Sequence, residues 1–429
     1  MKSIHIIYAL FILLFTGCEE KVTGLKYQDG YLEIHKEAEL RYISEVAQRN
    51  AKNPEPLMTI DGIAIPFKEA SLRFMDDVEI KDTWIPIKAG YDGSFKEIDG
   101  NHHTITFKIS SLEVKNAFDE HTSEFYKFGI FDRLGNCEVK NLNLAGEIGL
   151  YNSMILGAYN LSIGALAGEI EGNVILNNIS SYTAISFREK TGDSWLTLGG
   201  IAGTMSCIFG PNEFKTTVKN EGNLQAEGCP GTQIGGISAK LPDNVVLSPN
   251  VTLENRGNIT ANLSNSKSDF VNAIGGVVGW WALQKINSNN GILSGMSNTG
   301  NLQIIVNGSP ADFYVGGVCG RFGDGNRIIN VKGMENSGNI EVCGNGMGQF
   351  CYIGGVIGDA GAGQYHKLIN NGKIKVSQPE KAYIGGLIGS YNIGYVSTMF
   401  SCNRDNIGDF IPFEKTELGP MLRKCSENH

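Results

Sequence analysis

The sequence predicts an all-β fold: a parallel β-helix, or β-solenoid, with a short helical cap at its N-terminal side. Three observations predict it. A Gly-Gly motif recurs seven times at intervals of 31 to 41 residues. An Asn-x-Gly motif recurs in phase with it. The segments between them hold short Val, Ile and Leu runs that suit strands, and no sustained helical periodicity.

The N-terminus reads as an export signal. Lys2 precedes an apolar run from Ile4 to Phe15, broken only by His5. That run is too short to span a bilayer and fits the apolar core of a signal peptide. It ends at Thr16-Gly17-Cys18, which resembles the lipobox of bacterial lipoproteins, with Phe15 where leucine is usual. The resemblance implies cleavage after residue 17 and lipidation of Cys18. Glu19, Glu20 and Lys21 follow, similar to the surface-export signal of Bacteroidota lipoproteins. The expected location is the outer membrane, lipid-anchored and exposed at the cell surface. Acyl chains would hold it there, at roughly 0.8 kcal/mol per buried CH₂.

About 410 residues follow the signal, more than one ordinary globular domain, so several domains or a repeat array are expected. Hydrophobic residues make up 41 %, which excludes a disordered chain. The net charge of −9, without a basic tract, argues against a nucleic-acid partner. Beyond Cys18 there are eight cysteines and no CxxC or CxH spacing, so no zinc site is indicated. Cys343/Cys351 and Cys402/Cys425 are the nearest pairs for a disulfide. The simpler role is as small buried side chains.

Residues 18–97 are expected to form a linker and cap. Within them Glu33 to Asn50 reads as a helix, with Ala38, Leu40, Ile43, Val46 and Ala47 on one side. A solenoid needs such a cap because its end exposes unpaired strand edges.

Residues 98–408 are expected to form the solenoid. The first glycines of the Gly-Gly motif stand at 164, 199, 235, 275, 316, 354 and 385, with Ala165 replacing the second glycine of the first copy. A degenerate copy precedes them at Phe128-Gly129-Ile130-Phe131. The Asn-x-Gly motif starts at Asn220, Asn255, Asn298, Asn336 and Asn370, and frays at Asn403-Arg404-Asp405-Asn406. Both glycine motifs suggest corners of positive φ. Parallel stacking would align the asparagines in a hydrogen-bonded ladder. A β-propeller is the alternative, but its blades need four strands, and each repeat here holds two or three. Residues 409–429, with Pro412 and Pro420, are expected to cap or fray.

These motifs resemble the GLUG-type repeats of bacterial surface proteins and adhesins. The segment Trp84-Ile85-Pro86-Ile87, Phe95 and Ile98-Asp99-Gly100-Asn101-His102-His103-Thr104-Ile105 is similar to the entry of that architecture. His103 is read as standing in its glycine region. The resemblance implies a right-handed, pectate-lyase-like β-helix, usually in surface or adhesive proteins.

Candidate chemistry is sparse. The histidines form no HExxH motif or nucleophile elbow, and the Gly-Gly motif lacks the GK[ST] of a phosphate loop. Asp76, Asp77 and Asp92 lack calcium-loop spacing. No metal or cofactor is expected. Aligned repeats do suggest a binding face. The residue two before each Gly-Gly runs Ser162, Thr197, Gln233, Ala273, Tyr314, Tyr352 and Tyr383. Small or polar early members imply a column facing water, on which the last three would stack as a tyrosine stripe. The column after the motif runs Glu169, Thr204, Lys240, Trp280, Arg321, Asp359 and Ser390, with Trp280 its one aromatic. Trp281 falls in an apolar column. Tyr314, Tyr352, Tyr383 and Trp280 are thus the candidate face for a glycan or a surface protein. The expected function is non-catalytic adhesion or ligand binding. A polysaccharide lyase or hydrolase, and a structural spacer, are the alternatives.

Overall fold

A computed structural model describes residues 25–49, 57–60, 62–81, 83–88, 95–114, 125–153, 160–190, 195–206, 215–242, 250–264, 271–282, 295–307, 312–323, 329–345, 351–361, 363–377 and 382–391, and the pairs 208–209, 246–247, 292–293 and 417–418. The signal, Cys18, Glu19, Glu20 and Lys21 lie outside the described residues, as do Asp92, Cys402, Cys425 and the frayed motif at Asn403.

The described chain is a β-solenoid. One coil shows the plan. Gly231–Gly235 enters the Gly-Gly corner and Ser238–Leu241 leaves it. Val246–Leu247, Val251–Asn255 and Ile259–Leu263 then return the chain to the next coil. Equivalent strands of successive coils pair in parallel and in register, building three ladders. The entry sheet and the exit sheet, before and after the corner, have nine strands each, and the long sheet has 21. Parallel pairing between repeats removes the propeller alternative, whose sheets form within a repeat.

Inward side chains form one continuous core of Ile, Leu, Val and Phe columns, with larger rings such as Trp281 and Phe322 inside the later coils. Each fully buried aliphatic side chain contributes about 1.5–3 kcal/mol of transfer free energy, which only stacked coils can collect.

The long sheet begins earlier than the first recognisable repeat. Tyr31–Ile34 pairs in parallel with Ser71–Phe74, and Ser71–Arg73 with Glu97–Asp99. Residues expected to be linker therefore already belong to the ladder. Their alternating pattern was short and lacked the glycine and asparagine marks.

The predicted helix is α1 (Glu37–Arg49); it starts later than Glu33, because Glu33 and Ile34 belong to the strand Tyr31–Ile34. It buries Leu40, Ile43, Val46 and Ala47 as expected, while Ala38 is exposed and Glu39 is buried in its place. Glu39 accepts the backbone N–H groups of His35 and Lys36, half of a capping box. Arg41 donates to the carbonyls of Lys81 and Thr83, and Ser44 to that of Ile85. The helix is thereby fastened beside Ile87–Lys88, the terminal strand of the exit sheet. Trp84 is buried at the same end and donates Nε1–H to the Gly129 carbonyl at 2.9 Å. Lys26–Gln28 covers the edge of Tyr31–Ile34 as an antiparallel strand. At the far end Glu417–Leu418 pairs in parallel with Tyr383–Ile384, as the last strand of the entry sheet.

The two repeat motifs meet in space. Asn220, Asn255, Asn298, Asn336 and Asn370 are at most 1 % exposed. Each Nδ2 donates to the glycine carbonyl two residues on, and those of Asn220, Asn255, Asn298 and Asn336 also donate to the Oδ1 of the next asparagine, at 2.8 to 2.9 Å. The second glycines Gly200, Gly236, Gly276, Gly317 and Gly355 each lie against the asparagine of their own coil. A Cβ on Gly276 would sit 2.1 Å from the Gly317 carbonyl oxygen and 2.3 Å from Asn298 Cγ. The motif glycines have no positive φ; that conformation is taken elsewhere, as at Gly146 and Gly228. The expectation of left-handed corners is thus corrected: these positions need glycine because another backbone occupies the space of a side chain. The exceptional first copy obeys the same rule. Its Ala165 has Ser181, a smaller side chain, in the asparagine column.

The entry motif is also resolved. Asn101 and His102 take positive φ, at 48° and 65°. His102, rather than His103, therefore holds the glycine-like position. His103 instead pairs with Asp77, which also accepts the Thr104 N–H. Asp76 meets His35 at 2.7 Å. Cys343 and Cys351 are both free, which corrects the disulfide option for that pair.

Candidate functional site

The Gly-Gly corner folds the entry and exit strands so tightly that their outer columns face each other. Ser162 Oγ donates to the Gly168 carbonyl at 2.6 Å, and a Cβ on Gly203 would touch Ser162 Oγ. The result is a narrow seam, or crevice, in which the two columns pack against each other along the solenoid. The entry column lines one wall, and the column after the motif lines the other.

Side-chain size and charge are matched across it. In the early coils Lys127 of the entry sheet and Arg133 of the exit sheet both hold Glu169. Burial pushes the Glu169 carboxyl up, but the two cations outweigh it and keep it below the ordinary value. Further along, Trp280, the largest residue of its column, shares a coil with Ala273, which is fully buried.

The predicted stripe forms. Tyr314 and Tyr352 stack with centroids 5.3 Å apart and rings 9° from parallel, and Tyr352 and Tyr383 at 5.2 Å and 14°. Rings stacked along the solenoid axis show edges and hydroxyls outward and hide their faces. The stripe does not lie open to water throughout: Tyr314 is 6 % exposed, and Tyr352 and Tyr383 are half-buried. Burial pushes the Tyr314 hydroxyl pKa up and that of Tyr352 up to about 12. Water-facing exposure of Tyr314 is thus corrected, because the exit sheet leans over that column.

Trp280 is half-buried and joins this stripe through Arg321. The Lys240 ammonium lies 4.8 Å from the Trp280 ring centroid and the Arg321 guanidinium 5.7 Å from it. Arg321 also lies 5.0 Å from the Tyr314 ring. Its Nε is 3.5 Å from Asp359 Oδ2, whose carboxyl is raised by burial against the pull of Arg321. The four aromatic candidates therefore share one crevice. Lys240, Arg321, Asp359 and Gln233 complete it; their column positions were visible, but the folding of one column onto the other was not. Trp281 points into the core, as its apolar column implies, and is fully buried.

Among the described residues no group of three or more His, Cys, Asp or Glu is placed to hold a metal ion. The described cysteines Cys137, Cys229, Cys319 and Cys351 are buried, and burial raises their thiol pKa, to about 12 at Cys137. Among the described residues no helix is long and apolar enough to cross a membrane. No protein-family model matches the chain, and neither the curated proteins nor the solved structures contain a match to it.

Proposed function

We propose that this protein is a lipid-anchored surface protein that binds a glycan or a surface protein through its solenoid and performs no catalysis of its own. The observation that carries the reading is the crevice: Trp280 held between Lys240 and Arg321, with the stacked tyrosines beside it. Aromatic rings and cations fixed on a rigid ladder supply contact area and polar direction at little entropic cost. The Cys18 lipobox supports the location. Six residues separate Cys18 from Leu25, and the seven steps between them reach at most about 25 Å. With Cys18 as the anchor, the N-terminal coils stand by the membrane and the Trp280 crevice several coils above it.

The test has two arms. The mature chain, residues 19–429, is applied to a glycan and host-matrix array. The triple variant Trp280→Ala, Tyr352→Ala, Tyr383→Ala is applied beside it, with β-content checked by circular dichroism. Saturable binding that the variant loses is expected. Unchanged binding by a folded variant removes the crevice from the reading. For the anchor, Cys18→Ala is expected to abolish acylation, read as a mass shift, and to release the protein from the membrane fraction.

A further inference from the structure

The crevice contains more unmet hydrogen-bonding capacity than its packing role needs. Trp280 Nε1 and Gln233 Oε1 are buried polar atoms without a hydrogen-bond partner, and Arg321 Nε has only its 3.5 Å ion pair with Asp359. Gln233 is 6 % exposed, and its amide end can turn either a carbonyl or an N–H inward. Buried polar groups are ordinarily paired, so an unpaired indole N–H and an unpaired amide on these two facing columns mark a place where something polar belongs.

Their chemistry is one-sided. Indole and guanidinium nitrogens only donate. Lys240, in register with Trp280 on the preceding coil, adds an ammonium whose one contact among the described residues is the Trp280 ring. Arg321 has Asp359 to balance it, whereas Lys240 has no carboxylate partner among the described residues. Donors and an uncompensated cation, inside a protein of net charge −9, select an anion. The ring of Trp280 beside them favours an anion carried on a ring with an apolar face. Lys240 lies over the indole on a flexible four-carbon stem, so it can lift and reclose over an occupant.

We infer that Gln233, Lys240, Trp280 and Arg321 form a subsite for the carboxylate of an acidic sugar. This deepens the glycan reading above and rests on it. Lys240 supplies charge, Trp280 Nε1–H and the Gln233 amide supply direction, and the indole packs on the sugar ring. Arg321 stays tied to Asp359 and positions Trp280 from the other side.

The experiment titrates the mature chain by calorimetry with a glucuronate-containing oligosaccharide, its carboxyl-reduced form, and acetate. Lys240→Gln and Trp280→Phe are titrated in parallel; the latter keeps a ring and removes the N–H. The expected result is binding of the acidic oligosaccharide, at least tenfold weaker binding of the reduced form, and a similar loss in Lys240→Gln. Trp280→Phe loses severalfold, and acetate binds far more weakly than the oligosaccharide. Equal binding of the reduced form, or an unchanged Lys240→Gln, overturns the inference. Acetate binding as tightly as the oligosaccharide overturns its sugar component. If the acidic sugar fails while another array ligand is held, the subsite falls and the surface-binding reading stands. Silence of every ligand overturns both.

Discussion

At the scale of single residues, the asparagine ladder and the second motif glycine act as one unit. Asn298 bonds to Asn255 on one side, to Asn336 on the other, and to its own Gly300 carbonyl. Removing its amide strands buried partners, so Asn298→Ala is expected to cost about 1–3 kcal/mol, measured as a denaturant midpoint shift. Gly276→Ala forces a Cβ into Asn298 and the Gly317 carbonyl, and overpacking of that kind costs about 1–3 kcal/mol or more. The Ala165–Ser181 coil carries its own suppressor. Gly276→Ala with Asn298→Ser is therefore expected to be less damaging than the two single costs summed, which a double-mutant cycle checks. Strict additivity would show that the two motifs are uncoupled.

Glu169 sets a pH dependence at the same scale. Its carboxyl is held low in the folded chain by Lys127 and Arg133. It therefore contributes stability above the ordinary carboxylate range, and that contribution is lost as pH falls through its depressed folded value. Asp359, raised by burial, has the opposite sign: the folded state takes up its proton more readily, so acidification favours folding there. Glu169→Gln is expected to flatten the acid-side fall in stability, and Asp359→Asn to steepen it. Denaturant titrations between about pH 3 and 7 read both slopes.

At the scale of elements, the N-terminal cap is one assembly of helix, hairpin and entry motif. Trp84 fills the space between α1 and the Gly129 corner, is 1 % exposed, and stacks loosely under Arg41. Trp84→Ala is expected to cost about 3–5 kcal/mol, as large-to-small core changes do. The cost is expected to be local: amide exchange accelerates in α1 and in the strands up to Asn152, and little beyond Trp195. Uniform acceleration throughout would mean that the cap and the repeats unfold as one body.

At the scale of the whole molecule, each coil touches only its neighbours, so stability is a sum of coil and interface terms. Protection from exchange is expected to peak in the central coils, about residues 216–306, and to fall toward both ends. The solenoid also explains why the crevice can vary while the fold stays constant. The ladder is held by backbone pairing, the asparagine column and inward aliphatics. The facing outer columns need only matched volume, which Ala273 and Trp280 show within one coil.

The sequence by itself determined the repeat, the parallel stacking, the asparagine ladder, the apolar placement of Trp281 and the contiguity of the three tyrosines. All of these follow from periodicity, because equivalent positions of identical coils must lie one above another. It also marked α1, whose apolar stripe is local. What only the tertiary structure decided is where non-equivalent positions meet. The glycines lie against the asparagines of another strand. Tyr31–Ile34 joins the ladder without carrying a repeat mark, and Tyr314 is covered by the exit sheet. The crevice arises because the corner turns two columns toward each other, and corner geometry depends on backbone contacts between coils that no single repeat encodes.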